Sequence, residues 1–203
     1  GYFHQIQKAD VFVFYDDVQY DRGGWRNRNR VKTANGSVWL TIPVAKKGSV
    51  ETGAPSNTIR VDWNRPWTKS HWATIRQAYS KAPFFDTYRE LLEDIYSRQP
   101  EFLVDFTIET TIELAGLLGL GGRKFLRSSQ LHADGKKTDR LVSILQQVGA
   151  THYISGPSAR AYLDETKLAD AGISLEYMQY AYPEYGQFHP PFDPHVSVID
   201  LLM

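Results

Sequence analysis

Val11 to Tyr15 reads Val-Phe-Val-Phe-Tyr, an unbroken β-branched and aromatic run with the profile of a strand buried on both faces. It stops at two adjacent carboxylates, Asp16 and Asp17, followed by Gln19 and Tyr20. A buried strand that ends on an acidic pair delivers polar groups to the carboxyl edge of its sheet, where ligands of α/β proteins bind. Next comes the densest block of hydrogen-bond donors in the chain: Arg26, Arg28 and Arg30 interleaved with Asn27 and Asn29. Ligand contact is expected along Asp10 to Arg30.

The 203 residues, 42% of them apolar and 13% aromatic, suit a single α/β domain over 1–203 with a sizeable core. Lys plus Arg and Asp plus Glu number 23 each, so the net charge of zero argues against an extended nucleic-acid surface and makes the Arg block a local feature. The absence of cysteine excludes disulfides, thiolate metal sites and a Cys nucleophile, and fits a reducing compartment. With no apolar run of membrane-spanning length and no visible secretory leader, no membrane span is expected and the location is read as cytoplasmic.

Taken in order, Gly1 to Lys8 reads as a short helix leading into the strand at Asp10 to Tyr15. Helix then buried strand is the second half of a βαβ unit, so a first strand is expected upstream of Gly1. Val31 to Thr33 and Val38 to Pro43 flank Ala34-Asn35-Gly36-Ser37, a hairpin signal. Lys46 to Asn57 reads as a flexible loop, and Thr58 to Val61 as a short strand.

Three helices are expected over Trp67–Tyr79, Phe85–Ser97 and Phe102–Leu118, the first with Asn64 as cap and Pro66 in its first turn. Together with its flanks, about 64–120, this forms an inserted helical segment. The last third alternates: strand at 124–129, helix Asp139–Val148 closed by Gly149, strand Thr151–Ile154, helix from Ala159 to Leu163 with Lys167–Ala171 as its extension, strand Ile173–Tyr177, and a closing helix Val196–Leu202. This order predicts a mainly parallel, Rossmann-like α/β sheet with a β-hairpin.

Among candidate chemical groups, Asp16 and Asp17 read either as a solvated strand end or as carboxylates that orient an amine or sugar hydroxyl or act as a base. Since neighbouring strand side chains face opposite ways, only one would enter a given cleft. Arg26, Arg28 and Arg30 would share one face if extended, with Asn27 and Asn29 on the other, and guanidinium forks suit phosphate or carboxylate. Ser155-Gly156-Pro157-Ser158 lies between strand and helix, where backbone N–H groups can hold an anion; a plain turn is the other reading. His132, in a loop with Ser128, Ser129, Lys136 and Lys137, is the best candidate for acid/base work or anion contact. The six histidines show no metal-ligand spacing, so no metal is expected.

With these segments in view, the sequence resembles the WbqC-like family of bacterial proteins, often encoded with O-antigen and other surface-polysaccharide genes. The matching stretches include Gly1-Tyr2-Phe3-His4, the run from Ala9 to Tyr20, Arg26 to Lys32, Trp39 to Val44, Ala82-Pro83-Phe84-Phe85, Thr151 to Gly156, Pro183-Glu184-Tyr185 and Phe192 to Leu202. The resemblance implies a preceding strand and a His-containing segment upstream of Gly1. It also implies a transferase that moves an acyl or aminoacyl group, glycine-like, onto an amino sugar or similar amine.

Three readings follow. The first is that transferase, with Asp16, Asp17 and His132 catalytic. Gln19, Tyr20, Arg26, Asn27, Arg28, Asn29, Arg30, Ser155 and Gly156 would bind substrate, the last two as the wall opposite the Arg/Asn block. The second is a nucleotide-binding or nucleotidyltransferase-like enzyme; the third is a non-enzymatic binding subunit using the tail from Tyr182 to Pro194. No resident cofactor is called for; an activated acyl donor or a nucleotide, and a small molecule such as a sugar nucleotide, are the expected ligands.

Overall fold

The structure is a computed structural model that describes residues 1–21, 23–45 and 53–203. Part of the loop expected over Lys46 to Asn57, residues 46–52, lies outside the described residues. In chain order the elements are α1 (Tyr2–Lys8), β1 (Val11–Phe14), β2 (Arg28–Thr33), β3 (Gly36–Thr41), α2 (Trp67–Tyr79), α3 (Phe85–Ser97), α4 (Leu103–Leu117), β4 (Lys124–Arg127), α5 (Thr138–Gln147), β5 (His152–Ser155), α6 (Glu165–Asp170), β6 (Ser174–Tyr177) and α7 (Ile199–Leu202). The fold is α/β, with short parallel strand pairs and one antiparallel hairpin. Two compact units divide the chain: Gly1–Asp17 with Ile112–Ala181, and Val18–Thr111 with Tyr182–Met203.

The first unit holds both parallel pairs, β1 with β4 and β5 with β6. Residues two apart on a strand share a face, so Phe12 and Phe14 meet Phe125 of β4, and Tyr2 of α1 closes edge-on against Phe12 at 5.3 Å between centroids. Leu145 of α5, Leu168 of α6 and Ile173 form a second apolar cluster with Tyr153 and Leu175. α5 and α6 end alike: Gly149 and Gly172 take positive φ (68° and 71°), and the next N–H turns back to a carbonyl five residues earlier (Ala150 to Leu145, 2.8 Å; Ile173 to Leu168, 2.9 Å). A Cβ at such a left-handed position would be strained. Each cap feeds its chain directly into β5 or β6.

The hairpin β2–β3 and helices α2 and α3 lie in the second unit, around a core that includes Val31, Ile59, Trp67, Ile75, Tyr79, Phe85, Leu92, Ile95 and Phe106. Several sequence expectations need correction here. The hairpin turns at Ala34-Asn35, with Gly36 (φ 104°) already paired with Thr33. Thr58 to Val61 is not a strand: Ser56–Thr58 is a 3-10 turn, and Arg60 and Val61 make only isolated bridges, to Phe102 and Val44. Pro66, not Asn64, caps α2. In the first unit, likewise, 157–161 winds as a 3-10 turn, and α6 is a separate helix with Asp164 as its cap. The closing helix is only α7.

The tail from Tyr182 is a strap tied along β2 and β3. Ser197 N–H donates to Arg30 O (2.7 Å), Arg30 Nε to His195 O (2.9 Å), Lys32 Nζ to Pro191 O and Ser37 Oγ to Asp193 Oδ2 (2.6 Å). Its anchor is Asp200, 3% exposed. Tyr79 and Tyr185 hydroxyls donate to its two oxygens at 2.8 Å each, and the Tyr79 oxygen accepts the Lys32 backbone N–H at 2.9 Å. Burial first, then the Asp200 charge, pushes the Tyr79 phenol up; burial is also the main cause that takes Tyr185 to about 12. Both remain donors.

Tyr79→Phe leaves the Lys32 N–H without its acceptor and Asp200 one donor short, so urea unfolding is expected to show a loss of about 1–3 kcal/mol; a loss near zero would mean the tyrosine hydroxyl does not hold the strap. The Ser37 hydroxyl, helped by the His195 N–H and nearby Arg30 and Lys32, holds the Asp193 carboxyl below its ordinary value. A depressed carboxyl stabilises the fold above its unfolded value of about 3.9, and that contribution disappears as pH falls through the folded value. The stability gap between native protein and Ser37→Ala is therefore expected to be wider at neutral pH than in strong acid. A gap that does not change with pH contradicts this assignment.

Candidate functional site: the carboxyl edge of a parallel strand pair

β1 and β4 run parallel, Phe14 opposite Arg127, so the residues after them, Asp16-Asp17 and Ser128-Ser129, emerge together at the carboxyl edge. β1 ends at Phe14, so the alternation expected to send the two carboxylates to opposite faces no longer operates at Asp16 and Asp17; both converge on Ser128. Asp16, 4% exposed, accepts from the Ser129 N–H (2.9 Å) on Oδ1 and from the Ser129 hydroxyl (2.7 Å) on Oδ2, and its own N–H donates to Ser128 Oγ (3.1 Å). Ser128 is fully buried. Its single proton goes to the nearer acceptor, Asp17 Oδ1 at 2.7 Å rather than Asp16 Oδ1 at 3.1 Å.

Asp17 is the more open carboxylate, its side chain 15% exposed. Arg140, from the first turn of α5, donates from a terminal guanidinium nitrogen to Asp17 Oδ2, while its Nε is buried without a partner among the described residues. The same guanidinium sits 5.8 Å from the centre of the Tyr15 ring. Burial pushes the Tyr15 phenol up; Arg140 pulls the other way. The cluster thus splits into two roles. Asp16 is consumed in joining the two strand ends, whereas each Asp17 oxygen has one protein donor and keeps acceptor capacity toward solvent.

His132 is exposed; its carbonyl accepts from Gln147 Nε2, and among the described residues its ring has no hydrogen-bond partner. Ser155 is buried at the end of β5, and Gly156 follows it, where an added Cβ would stand 3.5 Å from Gln5 Nε2. The 3-10 turn after it carries no long helix for an anion site.

The remaining expected contacts belong to the second unit. Gln19 is exposed and bridges Pro55, while Tyr20 is a core residue at 8% exposure. Arg26 does not share a strand face with Arg28 and Arg30, because Trp25–Asn27 is a 3-10 turn and β2 starts at Arg28. Asn27 is a local brace: its Nδ2 donates to Ile42 O (2.9 Å) and its carbonyl accepts the Ile42 N–H (2.8 Å). Asn29 Oδ1 accepts the Arg30 N–H. Arg28 and Arg30 do share a face, with guanidiniums 4.5 and 5.3 Å from the Trp39 ring centre.

Sequence reasoning missed Arg140 and the tryptophans Trp25 and Trp39. Ser128 and Ser129 are not the end of the expected strand but open a 3-10 turn after β4, and two polar pairs following two parallel strands are the signal that marks them. Among the described residues, no three His, Asp or Glu side chains are grouped to hold a metal ion.

An α/β protein that gathers carboxylate, hydroxyl and guanidinium at the end of a parallel strand pair is the class these features define. The chain belongs to the WbqC-like protein family, whose model matches residues 1–203. It is 36% identical over 204 residues to the uncharacterized protein Rv1507c of Mycobacterium tuberculosis, a match covering all of this chain and 87% of that protein. No solved structure matches. Among the described residues no helix is long and apolar enough to cross a membrane.

The division of labour between the carboxylates has a thermodynamic signature. Asp16→Asn turns an NH2 toward donors and should destabilise by about 3 kcal/mol, whereas Asp17→Asn, which loses a partly solvated ion pair, should cost about 1 kcal/mol. Equal losses in urea titrations, or the reverse order, would overturn the split.

Proposed function

We propose that the protein is a transferase that moves an acyl or aminoacyl group, glycine-like, onto the amine of an amino sugar or a similar amine in surface-polysaccharide or secondary metabolism. The observation that carries the reading is Asp17: a half-open carboxylate at the carboxyl edge of a parallel pair, held by Ser128 and Arg140 with acceptor capacity to spare. Such a group suits an amine, whose N–H bonds it can accept and whose lone pair it can thereby aim. The resemblance to a family encoded beside surface-polysaccharide genes supports the same class of substrate.

In this reading the amine nitrogen attacks the activated carbonyl carbon. The C–N bond forms, the bond to the leaving group breaks, and the proton shed by nitrogen passes to the departing group. Asp17 accepts a hydrogen bond from the amine throughout, and Arg140 keeps the carboxylate in place. His132, exposed and with no hydrogen bond to its ring among the described residues, is the residue assigned to relay the proton in this reading.

Incubation of an amino-sugar nucleotide with a panel of activated acyl donors is expected to give a product heavier by the acyl group. Asp17→Asn should slow its formation by about a hundredfold or more while leaving the fold intact. No mass increase with any donor, or undiminished transfer by Asp17→Asn, would defeat the proposal.

A further inference from the structure

The second unit displays two exposed tryptophans beside two half-buried arginines, a group that ordinary packing does not require. Trp25, on the 3-10 turn before β2, is 62% exposed, and Trp39 of β3 is 41% exposed. Their rings lie 4.9 Å apart at 53°. Arg30 pairs directly across the hairpin with Trp39, and Arg28 lies one step along the same face. Both guanidiniums cover Trp39, and Arg30 also reaches to 6.0 Å from the Trp25 ring centre.

At the other end of this face the tail strap covers Lys32 and Ser37; it contributes Asp193, whose charge Arg30 and Lys32 feel. Arg30 is steadied by His195 O and Arg28 by Gly23 O. Among the described residues neither guanidinium has a carboxylate within ion-pair distance, and Arg28 Nε is buried without a partner.

We infer that Trp25, Arg28, Arg30 and Trp39 form a binding site for a phosphate-bearing ring, stacked on the open face of Trp25 with its phosphate on the two guanidiniums. Trp39 is the backing of the site, since Arg28 already occupies its face. Two guanidiniums with no ion-paired carboxylate among the described residues match a phosphate dianion better than a single carboxylate. A tryptophan face left to solvent gains from any flat or CH-lined ring laid on it. Both a nucleotide and a sugar phosphate carry this chemistry. The site lies wholly in the second unit and does not rest on the transferase reading, because binding is measured without any reaction.

Calorimetry and tryptophan emission should be followed with four probes: uridine monophosphate, glucosamine 1-phosphate, glucosamine and inorganic phosphate. At least one phosphorylated ring is expected to bind and quench emission, at least about tenfold tighter than glucosamine or phosphate alone; which one binds identifies the ring. Trp25→Ala and Arg28→Gln should each weaken it by about tenfold, with unfolding temperatures showing that both variants fold. Trp25→Phe should retain most of the affinity. The inference is overturned if neither phosphorylated ring binds at millimolar concentration, if both folded variants bind like the native protein, or if inorganic phosphate binds as tightly as the ring.

Discussion

The polar edge of the first unit depends on how Asp16 is satisfied. A carboxylate 4% exposed is costly unless its oxygens are taken up, and here the donors come from the turn that follows β4, the Ser129 backbone N–H and its hydroxyl, while the neighbouring Ser128 hydroxyl accepts the Asp16 N–H. The same bonds tie the ends of two strands that are 112 or 113 residues apart in the chain. Once Asp16 is spent in this way, Ser128 has a fixed place from which to donate to Asp17, and Arg140 completes the second carboxylate. A buried, saturated acid thus creates the conditions for a half-open one beside it.

The second unit solves a comparable problem with phenols. Asp200 is buried with no ion-paired cation among the described residues and is met by two tyrosine hydroxyls, one of which also receives the β2 backbone. The strap this anchors lies over Lys32 and Ser37 at one end of the hairpin face, takes hold of Arg30 through the His195 carbonyl, and leaves Trp39 exposed at the other end. The same face of β2 therefore carries a buried lysine at Lys32 and half-buried guanidiniums two and four residues earlier.

Elements governed by local patterns were legible in the sequence. The apolar spacing of Trp67–Tyr79 and Phe85–Ser97, the turn before Gly36 and the Gly149 cap all act within a few residues, and the helices, hairpin and β-α-β order follow from them. What escaped was set by distant partners. Thr58 to Val61 has strand composition, but its bonding is divided between Val44 and Phe102, so no ladder forms. Arg26 looks equivalent to Arg28 and Arg30, yet the 3-10 turn at Trp25–Asn27 removes it from their face. For the candidate site, the acidic pair was visible as the end of a buried strand. Its partners were not, because only the pairing of β1 with β4 brings Ser128 beside it, and only the docking of α5 brings Arg140. An Arg on a helix gives no sign in sequence that its target lies 123 residues away.

The polar edge requires Asp16 to be structural and Asp17 to be available. Carboxyl carbon NMR of both residues during titration with glucosamine, an amine that carries no phosphate, reads this directly, since each side chain reports its own contacts. The expected result is a shift of the Asp17 signal alone, with Asp16 unmoved at saturation. A shift of Asp16, or two motionless signals while the amine ligand is bound elsewhere, would contradict it.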